Sequence, residues 1–200
     1  MNKSKHINNL IINNPVAVQG FGLLPVIAVT RNLKEAVLMS VLIMATMLLS
    51  SVFISLLKKL IDEKYEYIAF MAIISAFTTL MVLLAQKLFP EITNNIGIYL
   101  PLVAVNSLVL YRIRAYAAVQ KVGDTVLDSI TNGLGFFITM LVVAFIRELL
   151  GLGTLFGFRI IPQDFVIPTF TDPMMAFIIV GLLIAFFNWY SRESKLKGAK

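Results

Sequence analysis

The sequence predicts an all-α integral membrane protein whose six transmembrane helices form a 3+3 inverted repeat, with the first and fourth spans interrupted. Three observations support this fold class. Of the 200 residues, 58% are hydrophobic and 14% are charged, whereas about 25% are charged in soluble proteins. The charges fall between apolar runs that approach the roughly 20 residues needed to cross a bilayer. Proline and glycine concentrate in two of these runs.

The apolar runs define six spans within a single transmembrane domain that covers residues 1–200. Their approximate bounds are 10–30, 36–57, 67–86, 95–111, 129–150 and 173–191. The second, third and sixth spans are rich in Leu, Ile, Met and Phe and have no internal proline, so we expect plain scaffold helices. No small-residue cleavage site follows an isolated apolar core near the start, so we expect no removable signal peptide.

Basic residues in the connections predict the orientation of the spans. If successive connections alternate between the two sides, 12 Lys and Arg residues lie on the side of both termini and 4 on the opposite side. Cytoplasmic loops carry the excess of Lys and Arg in most membrane proteins. Both termini are therefore predicted to be cytoplasmic.

The composition excludes several kinds of site on this chain. It contains no cysteine and a single histidine, His6, so it lacks the material for disulfides, thiolate metal sites or histidine-based catalysis. We expect no catalytic residue and no metal site. The net charge of +6 does not indicate a nucleic-acid partner, because the basic residues flank apolar runs, where they act as topology signals and contact anionic lipid.

Proline and glycine predict that the first and fourth spans are broken. Pro25 and Pro101 remove a backbone donor and clash with the preceding turn, and Gly22 permits backbone angles that other residues avoid. The freed polar groups must be buried in protein or line a polar cavity. We therefore expect a central site near Gly22, Pro25, Pro101, Asn106 and Ser107. The alternative is a pair of kinks without function, with Asn106 and Ser107 bonding neighbouring helices.

A short internal similarity favours the inverted repeat. Residues 25–30 (Pro-Val-Ile-Ala-Val-Thr) share Pro, Ala and Val at matching offsets with residues 101–106 (Pro-Leu-Val-Ala-Val-Asn). Three spans form each half, and an odd number of crossings inverts the second half relative to the first. The two interrupted helices would then meet near the bilayer centre from opposite sides.

Arg147 and Glu148 form an ionisable pair at the end of the fifth span. Ionisable residues in membrane spans often mark ion pathways, so both are candidates for a cation pathway. The other interpretation is an interfacial ion pair that holds a loop.

Six short motifs follow one another along the chain: Asn13-Asn14-Pro15, Gly22-Leu-Leu-Pro25, Gly97-Ile-Tyr-Leu-Pro101, Arg112-Ile-Arg114, Asn132-Gly133-Leu-Gly135 and Arg147-Glu148-Leu-Leu-Gly151. In this order they resemble the RnfE/NqrD subunit family of the Rnf and Na⁺-translocating NADH:quinone oxidoreductase complexes. The resemblance covers nearly the whole chain.

The resemblance implies a subunit of a bacterial or archaeal cytoplasmic membrane complex that carries electrons across the membrane, with Na⁺ or H⁺ translocation as the coupled process. Such a chain is not catalytic alone. Its implied partners are a homologous, oppositely oriented RnfA/NqrE-like subunit, other Rnf/Nqr-like membrane subunits and an extracytosolic flavoprotein. Connection 151–172 is a candidate docking surface for that flavoprotein, and the other interpretation of this loop is a simple cap. Its apolar side chains indicate contact with a partner or with the lipid bilayer.

The resemblance also implies a [2Fe–2S] cluster to which each member of the subunit pair contributes two cysteines. The corresponding positions in this chain are Leu24 and Ser107. Leucine has no ligand atom, and a serine hydroxyl is a poor ligand for iron beside sulfide. We therefore expect no cluster on this chain and consider a flavin or a quinone as the carrier in the complex.

Two other functions remain open at this point. The inverted-repeat cavity could serve a non-redox subunit that transports or binds a small molecule such as a vitamin or flavin. The chain could also be a structural scaffold that only holds its partner in place.

Overall fold

The computed structural model describes residues 14–16 and 19–197, with the backbone alone described from residue 190 onward. His6 and part of the predicted span 10–30 lie outside these residues. We number the elements along the chain as α1 (Leu23–Ala28), α2 (Leu33–Leu57), α3 (Glu66–Leu88), α4 (Pro90–Ile96), α5 (Ser107–Arg112), α6 (Val122–Gly151), β1 (Thr154–Leu155), β2 (Phe158–Arg159) and α7 (Pro173–Lys197).

Several helices match the expected membrane spans. Within the described residues, three are long and apolar enough to cross a bilayer, namely α2, α6, and α3 with its leading turn, Glu63–Leu88. A fourth candidate is the bent pair Pro90–Tyr99 and Pro101–Ala117. The apolar part of α7, Pro173–Trp189, is shorter. A helical membrane protein is therefore confirmed, whereas six crossings in an inverted repeat stay a prediction.

Helix α2 lies at the centre of the described fold and packs mainly against α6 and α3. It begins after Asn32, whose backbone is extended (φ −125°, ψ 144°). Met39, Ile43, Met47 and Ile54 are buried on it at spacings of four and seven residues, which places them on one face. The apolar side chains of this helix therefore form much of the core.

Two glycines let α6 approach its neighbours closely. A Cβ on Gly133 would lie 2.5 Å from Cγ of Met44 on α2, and a Cβ on Gly135 would lie 3.0 Å from Cδ of Pro15. Small residues at such positions are typical of helix contacts in membranes. The Asn132-Gly133-Leu-Gly135 motif therefore has a packing explanation.

Helix α6 begins before the predicted start of the fifth membrane span. That span was expected to begin at 129, whereas α6 begins at Val122. The prediction followed the run without charged residues, which stops at Asp128. Asp128 lies within this helix, where its carboxylate pairs with Arg112.

The fourth predicted span is broken at two points. Gly97 follows α4 with φ 40° and ψ −102°, and 3₁₀ turns cover Gly97–Tyr99 and Pro101–Val105. Asn106 is extended (φ −65°, ψ 123°) and α5 begins after it. The two parts of the pair differ in direction by 48°, so the expected interruption near Pro101 is present.

The first predicted span contains only a short helix within the described residues. Gly20 and Gly22 have φ values of 71° and 74°, in the left-handed region that favours glycine. The six residues of α1 follow directly and end at Ala28, and α2 begins at Leu33. Within the described residues, this part of the chain therefore forms a short half-helix.

The connection between α6 and α7 forms a β-hairpin followed by two 3₁₀ turns, Gln163–Phe165 and Pro168–Thr171. Phe156 and Gly157 make the hairpin turn with φ values of 54° and 87°, as two-residue hairpin turns require. Large apolar side chains are exposed along the connection, at Phe156, Phe158, Ile160, Phe165 and Ile167.

Candidate functional site

The two interrupted segments meet directly. The backbone N–H of Gly22, at the start of α1, donates a hydrogen bond of 3.0 Å to Oγ of Ser107, at the start of α5. The two residues are 85 positions apart in sequence. The contact therefore joins the break in the first segment to the break in the fourth.

Gly22 cannot be replaced without strain. Its φ of 74° is unfavourable for a residue with a side chain, and a Cβ there would lie 2.8 Å from Cε2 of Phe136. The same Cβ would lie 3.5 Å from Oδ1 of Asn106. Gly22, Asn106, Ser107 and Phe136 therefore form one compact cluster, which we call the junction.

Asn106 is buried in the junction with only 5% of its surface exposed. Its Oδ1 accepts a 2.9 Å hydrogen bond from the backbone N–H of Leu108 and so caps α5. Its Nδ2 has no hydrogen-bond partner among the described residues. A buried amide donor without a partner is unfavourable, so this group is available to an acceptor.

The expected site residues differ in their exposure. Leu24 is 55% exposed, and Pro101 is also exposed. Pro25 is buried within α1. Ser107 is exposed although its oxygen contacts Gly22. Leu24 and Ser107 are therefore both open to the outside of this chain.

A cavity of about 500 Å³ lies beside Ser107. Its walls include Tyr67, Tyr111 and Arg114. The ring of Tyr111 stacks on Phe21 with centroids 4.3 Å apart, and the Arg114 guanidinium lies 5.4 Å from the centroid of Tyr67. The cavity therefore combines aromatic faces with a cationic donor.

Asn14 ties the start of the described chain to α6. Its Nδ2 donates to the carbonyl of Gly135 at 3.1 Å. Its Oδ1 accepts from the N–H of Val16 at 3.0 Å and from the hydroxyl of Thr139 at 3.2 Å. Asn14 belongs to the Asn13-Asn14-Pro15 motif of the sequence. Its contacts give this motif a structural role beside the junction.

Arg147 is buried and binds the end of α1. Its guanidinium donates to the carbonyl of Ile27 at 3.0 Å and to the hydroxyl of Thr30 at 2.8 Å. It also donates to the carbonyls of Phe170 and Thr171 at 3.2 and 2.7 Å. A cation is favourable at a helix C-terminus, where the carbonyl groups lack helical partners.

Glu148 binds the start of α2. Its carboxylate accepts a 2.6 Å hydrogen bond from the N–H of Leu33, the first residue of that helix, where an anion is favourable. It also accepts from the hydroxyl of Thr154 at 3.1 Å and the N–H of Gly157 at 3.2 Å. Within the described chain neither Arg147 nor Glu148 forms a salt bridge, so hydrogen bonds, rather than an ion pair, hold the connection here.

A second cavity, of about 600 Å³, lies beside Arg147. Arg31, Glu35, Tyr99 and Asp172 contribute to its walls. Ala28 and Val29 of the first segment and Asn95, Ile96 and Tyr99 of the fourth also line it, so it lies between the two interrupted segments.

Sequence reasoning missed the ion pair between Arg112 and Asp128. Nε of Arg112 donates to Oδ2 of Asp128 at 2.9 Å, and a second bond joins the same groups. Nδ2 of Asn132 donates to Oδ1 of Asp128 at 3.1 Å. This is the only salt bridge among the residues whose side chains the structure describes. The sequence could have indicated this ion pair, because Arg112 and Asp128 carry opposite charges and lie at the adjoining ends of two consecutive predicted spans.

Comparison with known proteins decides the family. Residues 3–184 match the model of the Rnf-Nqr family, described as "Rnf-Nqr subunit, membrane protein". The chain belongs to the Rnf-Nqr family. The expected relationship to the RnfE/NqrD subunits is thereby confirmed.

Several members of the Rnf-Nqr family are similar over most of their length. The E-type subunit of the Na⁺-translocating ferredoxin:NAD⁺ oxidoreductase complex of Acetobacterium woodii is 32% identical over 196 residues, covering 97% of this chain and 100% of the relative. The D-type subunit of the Na⁺-translocating NADH-quinone reductase is 34% identical over 178 residues in Aeromonas salmonicida (86% and 85%) and 35% identical over 162 residues in Neisseria meningitidis serogroup B (80% and 78%).

The junction does not fit the iron–sulfur cluster implied by the Rnf-Nqr resemblance. The chain has no cysteine, and the position of one expected ligand is Leu24, whose side chain has no donor atom. At the other position the Ser107 oxygen already accepts the Gly22 N–H. No group of three or more potential metal ligands occurs in the described part of the chain. This chain therefore provides no cysteine-ligated cluster of its own.

Proposed function

We propose that this chain is a membrane-embedded subunit that helps to carry electrons across the cytoplasmic membrane in an Rnf/Nqr-like complex, with Na⁺ or H⁺ translocation as the coupled process. The similar proteins are named as subunits of Na⁺-translocating oxidoreductases. The observation that supports a central role is the hydrogen bond between Gly22 and Ser107. It joins two interrupted segments, and such breaks are stable in a membrane only inside protein or beside a cavity.

The proposed architecture is a single six-span domain in a 3+3 inverted repeat with both termini in the cytoplasm. The bent fourth segment and the half-helix α1 support it, because the two breaks contact each other. The proposed partner at the junction is a homologous, oppositely oriented subunit. Leu24 and Ser107 are exposed, so their surface is available to such a partner.

We further propose that the complex contains a membrane redox group other than a cluster on this chain. The hydrocarbon core is about 30 Å thick, too far for one useful electron-transfer step, so a carrier must lie partway across. A flavin or quinone is the candidate. Support comes from the cavity beside Ser107, whose tyrosines offer aromatic faces and whose Arg114 offers a donor to a ring oxygen.

The contacts of Arg147 and Glu148 favour a role in anchoring elements over a cation pathway, through hydrogen bonds and not through the interfacial ion pair that the sequence suggests. One binds the C-terminal end of α1 and the other binds the N-terminus of α2. We propose that this adjacent pair positions the half-helix against the rest of the fold. The exposed side chains Phe158 and Phe165 of the following connection are the proposed contact for an extracytosolic flavoprotein.

Purification of the chain with its native partners tests the proposed function. The complex should contain a redox group visible by absorbance or EPR and should lose transmembrane electron transfer when Ser107→Trp blocks the junction. Ser75→Trp, at an exposed position of α3, is the matched control. A complex active in electron transfer without any membrane-embedded redox group would contradict the proposal. Specific vitamin or flavin uptake by the chain without redox partners would support the transport alternative.

A further inference from the structure

The cavity beside Ser107 is built on one face of the fourth segment. Four of its lining residues recur at spacings of three, four and seven positions, namely Ser107, Leu110, Tyr111 and Arg114, which places them on the same side of a helix. Ser107 and Arg114 are about 10 Å apart along the helix axis. Tyr67, at the start of α3, adds a second wall. The cavity therefore extends from the junction towards the end of this segment.

The end of this face has an irregular backbone. Residues Ile113–Ala117 form a π-helical turn, and Arg114 and Ala115 of this turn line the cavity. Turns of this kind are rare and frequently occur at functional sites. The Arg114 guanidinium lies 5.4 Å from the centroid of Tyr67. The π-helical turn therefore places a cation beside an aromatic ring at the end of the cavity that is farther from Ser107.

The polar groups of the cavity are donors that lack acceptors. Oγ of Ser107 accepts the N–H of Gly22, but the Ser107 hydroxyl hydrogen is donated to no described residue. Within the described chain, the hydroxyls of Tyr67 and Tyr111 and the guanidinium of Arg114 also have no hydrogen-bond partner. The described lining contains no carboxylate. A ligand that offers acceptors would satisfy these groups.

The shape and the aromatic walls of the cavity favour a planar ring. Its volume of about 500 Å³ lies in the range of small-molecule sites. The ring of Tyr111 is held by stacking on Phe21, so its position in the wall is fixed. Aromatic side chains bind other planar rings by offset stacking or edge contacts. The ligand that fits is therefore a flat ring that carries hydrogen-bond acceptors.

We infer that this cavity binds the ring of a quinone. One ring carbonyl accepts from the Ser107 hydroxyl and the other accepts from Arg114, and the ring packs against Tyr111. A quinone ring has carbonyl acceptors on opposite sides and no donor, which matches the unpaired donors of the cavity. A flavin ring also carries an N–H group, for which the lining side chains offer no carboxylate or amide acceptor. The assignment rests on the proposed function, because that function requires a redox group in the membrane.

Labelling of the intact complex by a photoreactive quinone tests this binding. The complex in phosphatidylcholine nanodiscs is illuminated with an azido derivative of a short-chain ubiquinone, without any electron donor, and labelled peptides are identified by mass spectrometry. Wild type should be labelled in the peptides that contain Tyr67 and residues 107–115. Unlabelled decylubiquinone should prevent this labelling, whereas flavin mononucleotide and phosphatidylglycerol should not.

Two variants each remove one proposed donor. Arg114→Gln and Ser107→Ala should each raise the azidoquinone concentration for half-maximal labelling about fivefold, as expected for the loss of one hydrogen bond. Ser107→Ala also removes the acceptor of the Gly22 N–H, so Ser107→Thr, which keeps a hydroxyl, should restore labelling. Arg114→Gln leaves that hydrogen bond in place and tests the cavity independently of the junction. Unfolding by denaturant checks that each variant is folded.

Arg159→Gln and Ser75→Ala are matched controls, because both residues are exposed and neither lines the cavity. The inference is overturned if decylubiquinone does not protect these peptides, if flavin mononucleotide or phosphatidylglycerol protects them instead, or if Arg114→Gln labels like Arg159→Gln. Protected labelling in a complex that transfers no electrons would refute the proposed function alone. Full electron transfer with the label only at other sites would refute the quinone assignment alone.

Discussion

At the scale of single residues, the site depends on a glycine and a serine that are distant in sequence. Gly22 has no side chain where Phe136 leaves no space, and Ser107 accepts its backbone N–H. Neither residue brings a redox or metal-binding group. Their role is to hold two broken helices together, and Asn106 adds a buried donor that has no partner among the described residues.

Gly22→Ala should destabilise the junction. The left-handed backbone costs about 1–2 kcal/mol for a residue with a Cβ, and the contact with Phe136 adds to this. Unfolding of the complex by denaturant, followed by helix signal, measures the loss. Gly181→Ala is the control, because nothing lies within 4 Å of its Cβ position. Equal stability of the two variants would contradict the role assigned to Gly22.

Asp128→Asn should also destabilise the protein. The side chains of Arg112 and Asp128 are 12% and 7% exposed, and removing one member of a buried pair costs about 3 kcal/mol because the other charge is left unpaired. The double variant Arg112→Leu with Asp128→Leu should lose less than the single variant. Denaturant midpoints compare them, and a double variant less stable than the single one would argue against this explanation.

At the scale of elements, the sequence predicted the type of each segment better than its limits. Pro101 and Gly22 signal breaks because their effects on the backbone are local. The start of α6 at Val122 could not be found from a charge-free run, because Asp124 and Asp128 lie inside the helix and Asp128 pairs with Arg112. Likewise the contact of Gly22 with Ser107 depends on how distant segments pack, which local patterns do not record.

Glu148→Gln tests whether Glu148 holds the start of α2 and the hairpin in place. Losing the charge should weaken the cap of α2 by about 1 kcal/mol, so the amides of Leu33 and Gly157 should exchange hydrogen about fivefold faster. Hydrogen exchange with mass spectrometry measures peptides that contain them. Unchanged exchange together with an altered dependence of activity on Na⁺ would instead support the cation-pathway interpretation.

At the scale of the whole molecule, the protein is an Rnf-Nqr family member with interrupted helical segments and no cysteine. Membership is decided by a match over residues 3–184, and the junction shows how the two breaks contact each other. The connection after α6 supplies the hairpin and its exposed aromatic side chains. The proposed partners and the proposed redox group lie outside this chain, so only its resemblance to a family points to them.

The absence of cysteine makes the proposed topology directly testable. Lys64→Cys and Lys121→Cys should resist a membrane-impermeant maleimide in intact cells, because both connections are proposed to be cytoplasmic. Asp164→Cys, in the connection after α6, should react. Permeabilised cells provide the control for reactivity. Labelling of Lys121→Cys in intact cells would contradict six spans with cytoplasmic termini.

The most direct test of the central claim is transmembrane electron transfer by the complete complex in sealed proteoliposomes, recorded together with its absorbance and EPR spectra. We expect reduction of an acceptor on the side opposite to the donor, accompanied by the signal of a membrane-embedded redox group, and loss of the transfer when this chain is omitted. Transfer at the full rate without this chain, or without any embedded redox group, would contradict the claim.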